Sequence, residues 1–244
     1  MVYGFSGILP LYVVAEYPRS GGTWFGQILA EYLNIPFPRN RKPAFRSCVM
    51  HGHYLYSPLI KNIFIVVRDG RDVMVSYYFH SLFINDKFNA SRVERTRRAL
   101  RFEDYHDVKK NLPKFIKYKF TKSIYNRFTW CEFANNWLDK GVTLVKYENL
   151  LQDAAREAGR AIENVCGVKA DYERLEKAAA KYSFKNQSQR DPGEENRSKF
   201  LRKGIAGDWK NYFTKDACEV FDNYAGETLI RLGYEKDKSW INDI

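Results

Sequence analysis

Residues 13–29 read VVAEYPRSGGTWFGQIL, and the change of hydrophobic period inside this stretch sets the fold. The apolar run Leu11–Ala15 has the length and composition of a buried strand. Pro18-Arg19-Ser20-Gly21-Gly22-Thr23 interrupts it, and from Trp24 to Leu33 apolar residues recur at helical spacing. A strand, a short Gly-containing loop and a helix make an anion site. Glycines let backbone N–H groups converge, the helix N-terminus adds partial positive charge, and Arg19, Ser20 and Thr23 add donors. The loop lacks the Gly-Lys-Ser/Thr of a nucleoside-triphosphate P-loop, which argues against ATP or GTP. An ordinary βα turn also uses Gly and Ser, so this stretch alone does not decide the ligand.

A second unit of the same kind follows. Ile63–Val67 is the clearest strand, and it runs into Arg68-Asp69-Gly70-Arg71-Asp72 and a helix through His80, with Asp69 as its N-cap. Two strand–loop–helix units predict a parallel sheet whose ligand lies beyond the carboxyl ends of the strands, where Arg68 sits. Ser76 lies eight residues further on, within reach of the same crevice.

The remaining pattern predicts strands at Phe45–Met50, followed by His51-Gly52-His53, and at Val142–Val145, leading to Tyr147. Helices are predicted over Thr129–Asp139, Leu150–Val165 (ending at Gly167), Asp171–Tyr182 and Ala217–Leu232. Segment 87–127 reads as helix in pieces interrupted by Pro113, and the polar Asn186–Phe200 as a mobile loop.

At 244 residues, 45% hydrophobic and 16% aromatic, the chain fits one globular α/β domain spanning 1–244. Its net charge of +11 points to an anionic partner such as a nucleotide, a sulfated or phosphorylated substrate, nucleic acid or a membrane surface. Thirteen Lys/Arg against four Asp/Glu between Lys87 and Arg127 supply +9 of that charge. The scattered Cys48, Cys131, Cys166 and Cys218 form no CxxC pair, so reduced thiols and no metal site are expected. No apolar run approaches the roughly twenty residues of a membrane span. The early first strand leaves no room for a signal peptide, and a cytoplasmic location follows.

Three separated motifs then agree. YPRSGGTW at 17–24 resembles the 5′-phosphosulfate loop of sulfotransferases that use 3′-phosphoadenosine 5′-phosphosulfate (PAPS), usually written YPKSGTTW. VVRDGRDVMVSYYF at 66–79 resembles their 3′-phosphate segment, and RKGIAGDWKNYFT at 202–214 matches their RKGxxGDWKNxFT signature at every fixed position. The chain is thereby identified as similar to the cytosolic-type sulfotransferases. The resemblance implies a P-loop-like three-layer fold, a central parallel β-sheet flanked by helices. It implies PAPS as donor, 3′-phosphoadenosine 5′-phosphate (PAP) as product, and no metal.

Residue by residue, the resemblance places the 5′-phosphosulfate on Arg19, Ser20, Gly21, Gly22 and Thr23, and the adenine against Trp24. It places the 3′-phosphate on Arg68 and Ser76, joined by Arg202, Lys203 and Gly204 of a cofactor-covering loop at 186–214. Tyr147 stands on the adenine side, and Tyr182-Ser183-Phe184 matches a Thr-Ser-Phe stretch whose Phe is the second aromatic on the base. The general base is His53 of HGHYLYSPL (51–59), with His51 standing where the family has Lys and serving as the alternative base.

The pattern is also departed from. The family's catalytic Lys is Arg19 here; a guanidinium keeps its proton, so Arg19 is expected to stabilise charge and not to act as an acid. Segment 81–128 is long and is expected to form an acceptor-side lid whose basic residues either face solvent or attract an anionic acceptor. In the family's dimerisation pattern KxxxTVxxxE, Lys210, Thr214 and Glu219 fit but Lys215 replaces Val, which favours a monomer over a homodimer. The expected activity is sulfuryl transfer from PAPS to a hydroxyl, or an amine, of a small molecule or saccharide, with no nucleic-acid partner. The alternatives are a catalytically impaired PAP-binding protein, or a polyanion- or nucleic-acid-binding module using 87–127. A nucleotide kinase is disfavoured by the missing Gly-Lys-Ser/Thr.

Overall fold

The computed structural model describes residues 11–39, 46–85, 89–121 and 127–242. In chain order these form β1 (Leu11–Glu16), α1 (Gly22–Leu33), β2 (Cys48–Gly52), β3 (Ile63–Val67), α2 (Gly70–Leu82), α3 (Ala90–Leu100), α4 (Val108–Thr121) and α5 (Trp130–Trp137). Then come β4 (Leu144–Lys146), α6 (Tyr147–Gln152), α7 (Ala154–Cys166), α8 (Tyr172–Lys181), α9 (Phe184–Ser188) and α10 (Lys215–Arg231). Short 3₁₀ turns cover Asp208–Asn211 and Lys238–Asn242. Contacts divide the chain into two compact units, one of residues 1–68 and 133–190, the other of 69–132 and 191–244.

The first unit holds the sheet, in the order β2-β1-β3-β4 with every pair parallel. The parallel α/β expectation is met. Strand period two splits the core. Val14, Val49, Phe64, Val66 and Val145 pack with α1, α7 and α8, while Leu11, Val13, Cys48, Met50 and Ile60 pack on the other face. Burial on both faces is why these strands read as continuous apolar runs.

Two elements of this unit differ in their bounds from the sequence reading. The second strand is Cys48–Gly52, because pairing of Val14 with His51 and of Ala15 with Gly52 draws the histidine end into the sheet. Phe45 lies outside the described residues. The expected helix Leu150–Val165 is two helices. Asp153 ends α6 in extended backbone and starts α7, its carboxylate accepting from the Arg156 N–H at 2.9 Å.

In the second unit, α2 is buried all round, so its polar residues need internal partners. Asp69 caps it as expected, accepting from the Arg71 N–H at 2.8 Å. Pro113 lies inside α4 and does not interrupt it. One lost backbone bond, about 3 kcal/mol in an isolated helix, is outweighed by burial of Leu112, Phe115 and Ile116. Trp130, Trp209, Phe213, Phe221 and Trp240 form an aromatic cluster with ring centroids 5.5–6.4 Å apart. The Arg71 guanidinium lies 3.8 Å from the Trp209 ring and 4.8 Å from that of Trp240, paired with Asp69 at 2.7 Å and Glu235 at 2.5 Å. Part of the stretch expected as a mobile loop, Asn186–Phe200, is tied down, since Gly193 N donates to Lys203 O and Asn196 N to Arg202 O, both at 2.9 Å.

All four cysteines are free thiols. Among the described residues no helix is long and apolar enough to cross a membrane.

Candidate functional site

In the first unit, the loop between β1 and α1 is set by unusual backbone. Arg19 and Gly21 have φ of 76° and 98°. A Cβ at Gly21 would stand 2.6 Å from Tyr147 Cδ2, so both dihedral and space require glycine there. Gly21 is the N-cap of α1 and offers no capping side chain, leaving first-turn amides to other acceptors. Ser20 is 1% exposed, and its Oγ has no hydrogen-bond partner among the described residues. A buried hydroxyl without a partner, at a helix N-terminus, fits a loop that receives an anion.

Tyr147, at the end of β4, gathers the surrounding residues. The Arg68 guanidinium lies 4.3 Å from its ring centroid, and Trp24 packs edge-on at 5.9 Å. Arg68 Nη1 also donates to the Arg19 carbonyl at 3.4 Å. Arg19, Gly21, Trp24, Arg68 and Tyr147 are therefore brought together, as the strand ends predict. Thr23 is half-buried in the first turn of α1.

Tyr182, Ser183 and Phe184 lie at the junction of α8 and α9, and their bonds go elsewhere. Tyr182 donates to Glu31 Oε2 at 3.2 Å, Ser183 caps α9 by accepting from Asn186 N, and Arg190 stands 5.2 Å from the Phe184 ring.

The two histidines at the end of β2 both bond to residue 16. His53 Nδ1 lies 2.8 Å from the Glu16 carbonyl, and His51 Nε2 lies 2.8 Å from Glu16 Oε1. The same carboxylate accepts from the Gly22 N–H at 2.6 Å. A carbonyl only accepts, so His53 Nδ1 carries a proton and, in the neutral ring, the lone pair is on Nε2. Burial pushes the Glu16 carboxyl up, but the His51 hydrogen bond and charge, the charge of His53 and the Gly22 N–H outweigh it; the net pKa is below the ordinary 4.5.

Glu16, on which these bonds converge, was passed over by pattern reading. The available signal was a carboxylate ending an apolar strand directly before the loop.

The second unit supplies the other predicted residues. Ser76 is buried on α2. Asp72, one turn before it, accepts from Gly207 N at 2.7 Å and Trp209 N at 2.9 Å. Phe79, one turn after it, carries the Arg202 guanidinium 4.7 Å from its centroid. Segment 202–209 is therefore docked along the helix face that bears Ser76. Gly204, with φ of 68°, forms the bend after Lys203. Arg202 pairs with Glu195 and Asp208, and Lys203 Nζ reaches Asp208 at 2.6 Å. Burial alone would raise the Asp208 carboxyl, but Lys203 and Arg202 hold it below its ordinary 3.8. Asp208 was legible only as a fixed letter of its motif, and Asp72 only as part of the stretch 66–79; the structure gives their partners.

Several cations of 87–127 are committed internally. Arg97 donates to Leu82 O at 2.8 Å, Lys114 to Leu100 O at 2.9 Å, and Lys119 is buried with its Nζ 3.6 Å from the Tyr77 centroid. Among the described residues no group of three or more His, Cys, Asp or Glu could hold a metal ion.

The chain is similar to known proteins in sequence and in fold. The family model described as a sulfotransferase domain matches residues 40–233. Sulfotransferase 1E1 of Cavia porcellus is 24% identical over 87% of this chain and 80% of its own length. Sulfotransferase 2A1 of Homo sapiens is 26% identical over 91% and 85%. Among solved structures, mouse sulfotransferase SULT7A1 complexed with PAP has a TM-score of 0.62 at 18% identity, covering 93% of this chain and 88% of that one. Retinol dehydratase with androsterone and PAP has a TM-score of 0.61 at 16% identity, covering 91% and 81%.

Proposed function

The chain belongs to the sulfotransferase-domain family, and on that premise we propose that it transfers the sulfuryl group of PAPS to a hydroxyl, or an amine, of a small-molecule or saccharide acceptor. The proposal is carried by the cluster around Tyr147. A guanidinium and two aromatic rings meet at the loop that carries the buried Ser20 hydroxyl, with Arg68 bonded to the Arg19 carbonyl of that loop. Guanidinium and N–H suit phosphate and sulfate oxygens, and aromatic faces suit a purine.

The donor supplies an activated sulfuryl group on a phosphate leaving oxygen. Arg19, Ser20, Gly21, Gly22 and Thr23 bind its 5′ end, with Trp24 and Tyr147 against the base and Phe184 as the second aromatic carried over from the family. Arg68, Ser76, Arg202, Lys203 and Gly204 bind the 3′-phosphate; Tyr182 and Ser183 support the Phe184 end. His53 Nε2 takes the acceptor proton as the acceptor oxygen bonds to sulfur. The sulfur–oxygen bond to the phosphate breaks, and the electron pair goes to the leaving oxygen, where Arg19 stabilises it. Arg19 does not donate a proton, because a guanidinium stays charged. We place this activity in the cytoplasm and in a monomer.

The test is transfer from labelled PAPS to a panel of neutral and anionic hydroxyl acceptors. His53→Ala is expected to lower kcat by about 10²-fold or more with PAP affinity retained. Full activity in His53→Ala would remove it as the base.

A further inference from the structure

Glu16 is buried, charged, and placed between three groups that the sequence spreads over 32 positions. Its carboxylate is 2.6 Å from the Gly22 N–H and 2.8 Å from His51 Nε2, while its carbonyl is 2.8 Å from His53 Nδ1. Side chains 51 and 16 are 7% and 6% exposed, and the two imidazoles stand 5.8 Å apart, edge to face.

Two departures from the motif meet on this carboxylate. Gly22 stands where the YPKSGTTW pattern has Thr. A Cβ there would lie 2.8 Å from Glu16 Cδ and 2.9 Å from Cγ, so the carboxylate fills space that a larger residue 22 would need. His51 stands where the pattern of the histidine segment has Lys. In its place the His51 imidazole sets Nε2 2.8 Å from Glu16 Oε1.

We infer that Glu16 is a positioning residue of the transfer site: its carboxylate locks the donor loop and His51 into one unit and fixes the orientation and tautomer of the imidazole at position 51. The geometry stands on its own; what the unit does rests on the sulfuryl-transfer reading. An ionised carboxylate only accepts, so His51 Nε2 must carry a proton. The second nitrogen of His51, Nδ1, is buried without a hydrogen-bond partner among the described residues. Residue 16 thus sets both rings, through its side chain at 51 and its backbone at 53.

The protein has four histidines, which makes ring-nitrogen NMR practical. His51→Gln and His53→Gln variants assign the signals. In the wild type at alkaline pH, His51 is expected as the Nε2–H tautomer and His53 as the Nδ1–H tautomer. In Glu16→Ala, His51 is expected to relax to a mixture while His53 is unchanged. An unaltered His51 tautomer in that variant overturns the inference.

Glu16→Gln, which keeps the shape, is expected to lower kcat by about 10-fold or more with KM for PAPS within ~3-fold, a split that lost folding does not produce. A wild type that does not bind PAP removes the sulfotransferase reading, and the tautomer comparison still decides whether Glu16 sets the rings.

Discussion

Replacing Asp72 tests how the second unit holds its signature segment. The carboxylate is 1% exposed and accepts two backbone N–H groups, Gly207 at 2.7 Å and Trp209 at 2.9 Å. Hydrogen bonds to a charged group contribute about 1.5–3 kcal/mol each, so Asp72→Ala is expected to cost on the order of 3–6 kcal/mol. Against a typical stability of about 5–15 kcal/mol, that variant stands near unfolding. Asp72→Asn is therefore the sharper probe. Its carbonyl oxygen can still accept one bond, but its amide group confronts the second N–H, and the negative charge is gone. A loss of about 2–4 kcal/mol is expected in urea titration. Because Arg202, Lys203 and Gly204 belong to the docked segment, PAP affinity should fall in the folded Asp72→Asn protein, read by calorimetry well below the urea transition. An Asp72→Asn variant with wild-type midpoint and wild-type PAP affinity would refute the reasoning.

Gly21→Ala places a side chain at φ of 98° and 2.6 Å from the Tyr147 ring. It is expected to cost about 1–2 kcal/mol from backbone strain alone and to weaken PAP binding; an unchanged melting temperature and Kd would contradict this. Lys119 gives a pH effect of definite sign. Burial, then the nearby charge of Arg92, pushes its amine down from 10.5 to about 7. Between those values the folded chain holds fewer protons than the unfolded one, so stability should rise with pH across that window and be flat below it. Lys119→Met should remove this slope and stabilise the protein at neutral pH, by at most ~5 kcal/mol at about 1.4 kcal/mol per decade. A variant of unchanged slope, or one less stable at pH 7, would count against the buried amine as the cause.

The sheet was legible in the sequence because both faces of β1 and β3 are buried, which leaves apolar runs bounded by Pro, Gly and charge. The loop, Arg68 and Tyr147 were legible because strand ends of a parallel sheet place them beside one another. What escaped was set by partners distant in sequence. The Asp153 break is a capping choice inside a continuous amphipathic pattern. Pro113 is tolerated because of core packing that no local window contains. Glu16 reads as an ordinary polar residue until parallel pairing of β1 with β2 puts His51 beside it. The basic stretch at 87–127 read as one feature, whereas Arg97, Lys114 and Lys119 are spent inside the fold.

The measurement that tests the central claim most directly is calorimetric titration of the purified protein with PAP and with ATP, repeated with Arg68→Ala. The account predicts binding of PAP in clear preference to ATP, with PAP binding lost or weakened by about 10-fold or more in the variant, since a charge-assisted phosphate contact is removed. Equal affinity for the two nucleotides, or PAP binding indifferent to Arg68, would contradict it.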